Sequence, residues 1–138
     1  MRVAETVLCN PGGSNRRPPH GGPLPRRILI VEDDPIIALD LVSIVSSAGM
    51  VVVGTAPTTS AAQQIVQNNA VDAAVLDVRL ENEDTIAFAK ELCNRKLPFL
   101  FQTGNPGLVA DFSPPPIVLA KPFDPERLIA ALRKLLSE

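Results

Sequence analysis

Four polar features stand at the ends of short apolar runs. Glu32-Asp33 follow Ile28-Leu29-Ile30-Val31, and Asp77 follows Ala73-Ala74-Val75-Leu76. Thr103-Gly104 end the run that starts at Pro98-Phe99-Leu100-Phe101, and Lys121-Pro122 follow Ile117-Val118-Leu119. Continuous apolar runs of this length suit strands buried on both faces. In a parallel sheet the carboxyl ends of all strands lie along one edge, where open α/β folds bind their ligands. Glu32, Asp33, Asp77, Thr103 and Lys121 are therefore expected to converge on one small site. Loops elsewhere in the chain do not repeat the pattern.

Three carboxylates in one pocket repel one another, and each gains proton affinity unless the charge is compensated. A hard divalent cation relieves that repulsion. Mg²⁺ takes oxygen ligands, keeps several waters, and needs only one or two carboxylates beside phosphate oxygens. Lys121 adds a fixed positive charge for a carboxylate or a phosphoryl oxygen, and the Thr103 hydroxyl can donate to another such oxygen. Asp77, central in the set, is then the nucleophile that forms an acyl phosphate. The chemistry implied is phosphoryl transfer by positioning and charge neutralisation.

The elements that must position these residues alternate along the chain. After the first strand, Asp34 reads as a helix cap with Pro35 at the first helical position. Ile37, Leu41, Ile44, Val45 and Ala48 then share one helical face, and Gly49 closes it. Val51-Val52-Val53 reads as the second strand. Thr58-Thr59-Ser60 opens a helix that offers Ala61, Ile65 and Val66 to the core and ends at Asn68-Asn69. A third helix is expected from about Glu83 to Arg95, with Ile86, Ala89, Leu92 and Cys93 inward. In the last helix Asp124 caps, Pro125 opens the first turn, and Leu128, Ile129, Leu132, Leu135 and Leu136 form the apolar face. Between Thr103 and Ile117, Gly107 and Pro114-Pro115-Pro116 leave room for two helical turns at most, so a short or mobile fourth helix is expected. The class is α/β, a doubly wound parallel sheet of five strands with helices on both sides.

Composition bounds the rest. The 138 residues suit one domain, and 46% hydrophobic residues suffice for a core. A net charge of −2, no Trp or Tyr and only 5 Phe argue against a nucleic-acid binder. Cys9 and Cys93 form neither a disulfide framework nor a metal cluster, and read as reduced thiols. No apolar run reaches the ~18 residues of a membrane span, and the start has no signal-peptide core. A cytoplasmic protein is expected. Residues 1–27 carry 5 Arg against 1 acid, with 5 of the 14 prolines and 4 of the 8 glycines. They read as a flexible tail that also holds the single histidine, His20. The folded domain is expected over residues 28–138.

On the segments Ile28-Leu29-Ile30-Val31-Glu32-Asp33-Asp34, Val75-Leu76-Asp77-Val78-Arg79-Leu80, Phe101-Gln102-Thr103-Gly104 and Lys121-Pro122-Phe123, the chain resembles a bacterial response-regulator receiver domain. The resemblance covers essentially the whole folded part, with every motif position filled in order. It implies the flavodoxin-like strand order 2-1-3-4-5. It also implies that Asp77 is the phosphoacceptor, that Asp33 holds Mg²⁺ directly and that Glu32 acts largely through water. The backbone carbonyl of Arg79 is implied as a further ligand, Thr103 as the switch hydroxyl, and Lys121 as the phosphate-contacting lysine with a cis bond to Pro122. The implied partners are a histidine kinase or histidine phosphotransfer protein, an unknown downstream protein, and a second copy of this chain. Nucleic acid and membrane are not among them.

Three departures stand out. Val118 occupies a position that is often aromatic, so a relay from an aromatic ring to Thr103 is not available. The links around the fourth strand are short and proline-rich. Leu97 to Asn105 resembles the Pro-Phe-x-Phe-Ala-Thr-Gly-Tyr run of one receiver subgroup, often single-domain, with Gln102 and Asn105 in place of Ala and Tyr. The expected role is a stand-alone regulator that signals through partner proteins or serves as a phosphate sink, and is not a turnover enzyme.

Plainer readings compete at each position. Asp34 suits a solvated helix start, Asp77 a loop cap, Lys121 a surface lysine, and Thr103 a hydroxyl bonded to its own turn. Phe123 reads as packing beneath the site and Cys93 as a small core residue. A phosphatase of the haloacid-dehalogenase type would place an acid two residues after the nucleophile, where Arg79 stands here. A phosphorylation-independent interaction module on the same fold is the remaining alternative.

Overall fold

A computed structural model describes residues 24–137 of the chain. Five strands, β1 (Arg27–Val31), β2 (Val51–Ala56), β3 (Ala73–Asp77), β4 (Phe99–Thr103) and β5 (Ile117–Ala120), alternate with helices along it. All pairs are parallel, in the order β2-β1-β3-β4-β5, as expected. The helices are α1 (Pro35–Ser47), α2 (Thr59–Asn68), α3 (Ile86–Asn94) and α4 (Pro125–Leu136).

Strand alternation divides the core in two. Ile28, Ile30, Val75, Leu100 and Leu119 face α1 and α4, and pack on Leu41, Val45, Leu128, Leu132 and Leu136. Leu29, Val31, Leu76, Phe99 and Phe101 face the other way, onto Ala62 and Val66 of α2 and Phe88, Ala89 and Leu92 of α3. The apolar runs are continuous because both faces are covered.

Local chemistry sets the element ends. The Asp34 carboxylate accepts the N–H groups of Ile36 and Ile37 and so caps α1, as expected. Gly49 ends α1 at φ +85°, a conformation open to glycine without a Cβ penalty. Thr58 caps α2 by accepting the N–H of Ala61. Gly54 of β2 lets Ile65 approach, since a Cβ there would lie 2.8 Å from Ile65 Cδ1.

Several boundaries differ from expectation. β1 starts one residue early, because the Arg27 N–H donates to Asp72 and its Nε to the Ala70 carbonyl. Of the expected tail, residues 1–23, with Cys9 and His20, lie outside the described residues. β2 runs on to Ala56 instead of stopping at Val53, its ladder to β1 resuming after an irregularity opposite Ile28/Leu29. α3 starts at Ile86, not Glu83, because the preceding residues fold back on themselves. Leu80 N–H donates to the Glu83 carbonyl, Thr85 N–H to the Val78 carbonyl, and Asp84 caps the N–H of Ile86. Its most buried residues are Phe88, Ala89 and Leu92, with Ile86 and Cys93 partly buried. Asp124 stands at the start of α4, but among the described residues its side chain makes no capping bond; its backbone carbonyl accepts Arg127 and Leu128. In place of a fourth helix before β5 there is a four-residue 3-10 turn, Pro106–Val109.

Candidate functional site

The carboxyl ends of β1, β3, β4 and β5 bring the expected residues to one edge. Glu32 directly follows β1, and Asp33 comes next. Asp77 ends β3, Thr103 ends β4, and Lys121 directly follows β5. Side-chain alternation decides which of them meet. Glu32 continues the face of Ile28 and Ile30, Asp77 that of Val75, and Lys121 that of Leu119, so the three point into one pocket above α1 and α4.

The pocket is acidic, and two of its three acids are buried. Carboxylate oxygens of Glu32, Asp33 and Asp77 all lie within 4.8 Å of one another. Glu32 is 3% exposed and Asp77 7%. Lys121 Nζ lies 3.5 Å from Asp77 Oδ2 and 3.7 Å from Glu32 Oε1, so one ammonium serves two carboxylates. Three acids against one base leave excess negative charge in a low-dielectric site. Burial pushes Glu32 up to about 7. The Asp34 N–H, which donates to Glu32 Oε2 at 3.2 Å, pulls against that, Asp77's charge adds to it, and Lys121 opposes it.

The donor set suits Mg²⁺. All three side chains offer hard oxygens. These oxygens lie close enough together to share one small hard cation, directly or through its waters. A cation there would also offset the excess negative charge of the three acids.

The remaining residues are placed differently. Thr103 is buried, and its Oγ1 accepts the N–H of Asn105 at 3.0 Å, so its hydroxyl is engaged in its own turn. Its carbonyl accepts the Lys121 N–H at 2.8 Å, which ties the two strand ends together. Arg79, two residues after Asp77, pairs with Asp84 in an isolated antiparallel bridge. The Lys121-Pro122 bond is cis, and Phe123 packs partly buried on the α1/α4 side of the core.

Two buried polar residues were not singled out from the sequence. Thr85 is fully buried and donates its hydroxyl to the Asp77 carbonyl at 2.8 Å, which fixes the backbone beneath that carboxylate. Gln102, 1% exposed, pairs in register with Asp77, and its Nε2 donates to Glu32 Oε1 at 2.9 Å. A signal was present for Gln102. An amide at the end of an otherwise apolar strand must find a buried partner.

Residues 28–112 match the response regulator receiver domain family. The phyllosphere-induced regulator PhyR of Methylorubrum extorquens is 31% identical over 114 residues, which cover 79% of this chain and 43% of PhyR. This chain spans less than half the length of the curated relatives it matches. Among solved structures, SdrG from Sphingomonas melonis Fr1 is 38% identical with a TM-score of 0.69, covering 81% of this chain and 97% of SdrG. The receiver domain of Erythrobacter litoralis PhyR is 25% identical with a TM-score of 0.75, covering 82% of this chain and 91% of that domain.

Proposed function

This chain belongs to the response regulator receiver family of two-component signalling, and on that premise we propose that Asp77 accepts a phosphoryl group in a Mg²⁺-dependent reaction. The donor is a histidine kinase or a histidine phosphotransfer protein. A carboxylate oxygen of Asp77 attacks phosphorus, the P–N bond to the donor imidazole breaks, and the electron pair returns to that nitrogen. The observation that carries this reading is the joint placement of Glu32, Asp33 and Asp77 within 4.8 Å, with Lys121 at 3.5 Å from the nucleophile.

Each residue of the edge then has a task. Asp33, Asp77 and the backbone carbonyl of Arg79 would hold the cation, with Glu32 acting on it largely through water. Mg²⁺, when bound, neutralises the phosphoryl oxygens as charge develops on them. Lys121 turns from its shared position between two carboxylates towards a phosphoryl oxygen. The Thr103 hydroxyl, whose oxygen accepts the Asn105 N–H, donates its own proton to another phosphoryl oxygen, and so biases the 3-10 turn and the start of β5. Output passes to a downstream protein or to a second copy of this chain.

Incubation with a small-molecule phosphodonor, followed by intact mass measurement, tests the reading. One phosphoryl adduct is expected with Mg²⁺ and none with a chelator present. The adduct is expected to vanish in Asp77→Asn. An unmodified protein under all conditions would favour a phosphorylation-independent interaction module, and continuous release of phosphate from a monoester would favour an enzyme.

A further inference from the structure

Glu32 Oε1 has two side-chain donors of opposite character. Lys121 brings a charge on a long stem, with 27% of its side chain exposed, at 3.7 Å. Gln102 brings a neutral amide from within β4, 1% exposed, at 2.9 Å. Its neighbour Phe101 packs on the other side of the sheet, so Gln102, in register with Asp77, shares the face of the acidic pocket. The second oxygen of Glu32 is occupied by the Asp34 N–H.

Lys121 cannot keep both of its roles. When a phosphoryl dianion forms on Asp77 it draws the ammonium, which already lies 3.5 Å from Asp77 Oδ2. A buried carboxylate that loses its one cationic partner among the described residues carries the full desolvation cost of its charge. We propose that Gln102 is a positioning residue of the metal site, holding Glu32 in its cation-facing orientation and remaining its partner when Lys121 turns away. The inference rests on the Mg²⁺-dependent reading above. Outer hydrogen bonds of this kind orient metal-site carboxylates, and their removal commonly weakens metal binding by about 10- to 100-fold.

The test is a Mg²⁺ titration of the full chain followed through backbone amide NMR shifts, since the sequence has neither Trp nor Tyr for fluorescence. Gln102→Met keeps the side-chain length and removes the donor. It is expected to weaken Mg²⁺ binding by about tenfold, and Gln102→Ala by at least as much. In a Glu32→Gln background, Gln102→Met is expected to add no further loss. A readout independent of variants at position 102 is the side-chain amide signal of Gln102 in the wild type. Slow hydrogen exchange is expected there, and rapid exchange would contradict the buried bond. Equal Mg²⁺ affinity for wild type and Gln102→Met would overturn the inference and leave the metal site standing. A wild type that binds no Mg²⁺ would overturn both.

Discussion

The two halves of the strand-end edge are held by different forces. Around β1 and β3, polar partners fix the buried groups: Glu32 is held by Gln102 and Asp34, the Asp77 backbone by Thr85, and both carboxylates by Lys121. Between β4 and β5 the chain runs through one 3-10 turn and a proline run, and aromatic packing holds it. Phe112 meets Phe99 and Phe101 edge to face, with ring centroids 5.8 and 5.4 Å apart. Polar ties are directional and suit a pocket where oxygen positions decide what binds. Ring packing anchors a segment through its side chain and does not itself fix the backbone. If the two regions are as separate as their forces imply, damage to one should spare the other.

The largest effect is expected from the aromatic side. Phe112→Ala removes a buried ring and should cost about 3 kcal/mol in urea unfolding, yet change Mg²⁺ affinity less than twofold. A large loss of metal affinity would show that the regions act as one. On the polar side, Lys121→Met leaves Glu32 and Asp77 without their shared cation. About 2 kcal/mol of stability should be lost in chelator, less than for a fully buried pair because Lys121 is partly exposed. Added Mg²⁺ should restore most of that loss, and should restore none of the loss in Phe112→Ala.

A graded effect comes from pH. Folded Glu32 keeps its proton up to about 7, whereas an ordinary glutamate releases it near 4.5. Between those values the folded state binds more protons than the unfolded chain, so stability falls as pH rises through that window. The slope from this one group is at most about 1.4 kcal/mol per pH unit. Unfolding measured from pH 4.5 to 7 in chelator should show that fall, and Glu32→Gln should flatten it.

Much of the edge was legible because each strand is a continuous apolar run whose first polar residue marks its end. That rule placed Glu32, Asp33, Asp77 and Lys121 together, and the β-α alternation implied the sheet around them. What it lacked was side-chain direction at the last strand position. Gln102 and Thr103 are neighbours in sequence with different partners: the Gln102 amide donates to Glu32 in the acidic pocket, and the Thr103 oxygen accepts the N–H of Asn105. Gln102 read as a variation on a small residue because its partner lies 70 residues away. The start of α3 was missed for a related reason. Residues 78–85 satisfy their backbone groups by folding back, and no local propensity encodes that. Asp124 had the residue type of a cap, yet among the described residues its side chain makes no capping bond.

The most direct test asks where the phosphoryl group goes. Wild-type protein treated with a small phosphodonor and Mg²⁺ can be reduced with borohydride, which converts an aspartyl phosphate into homoserine, and then mapped by tandem mass spectrometry. Conversion at Asp77 alone is the expected result. Conversion at Glu32 or Asp33, or no conversion under conditions that leave the protein folded, would contradict the assignment of Asp77 as the phosphoacceptor.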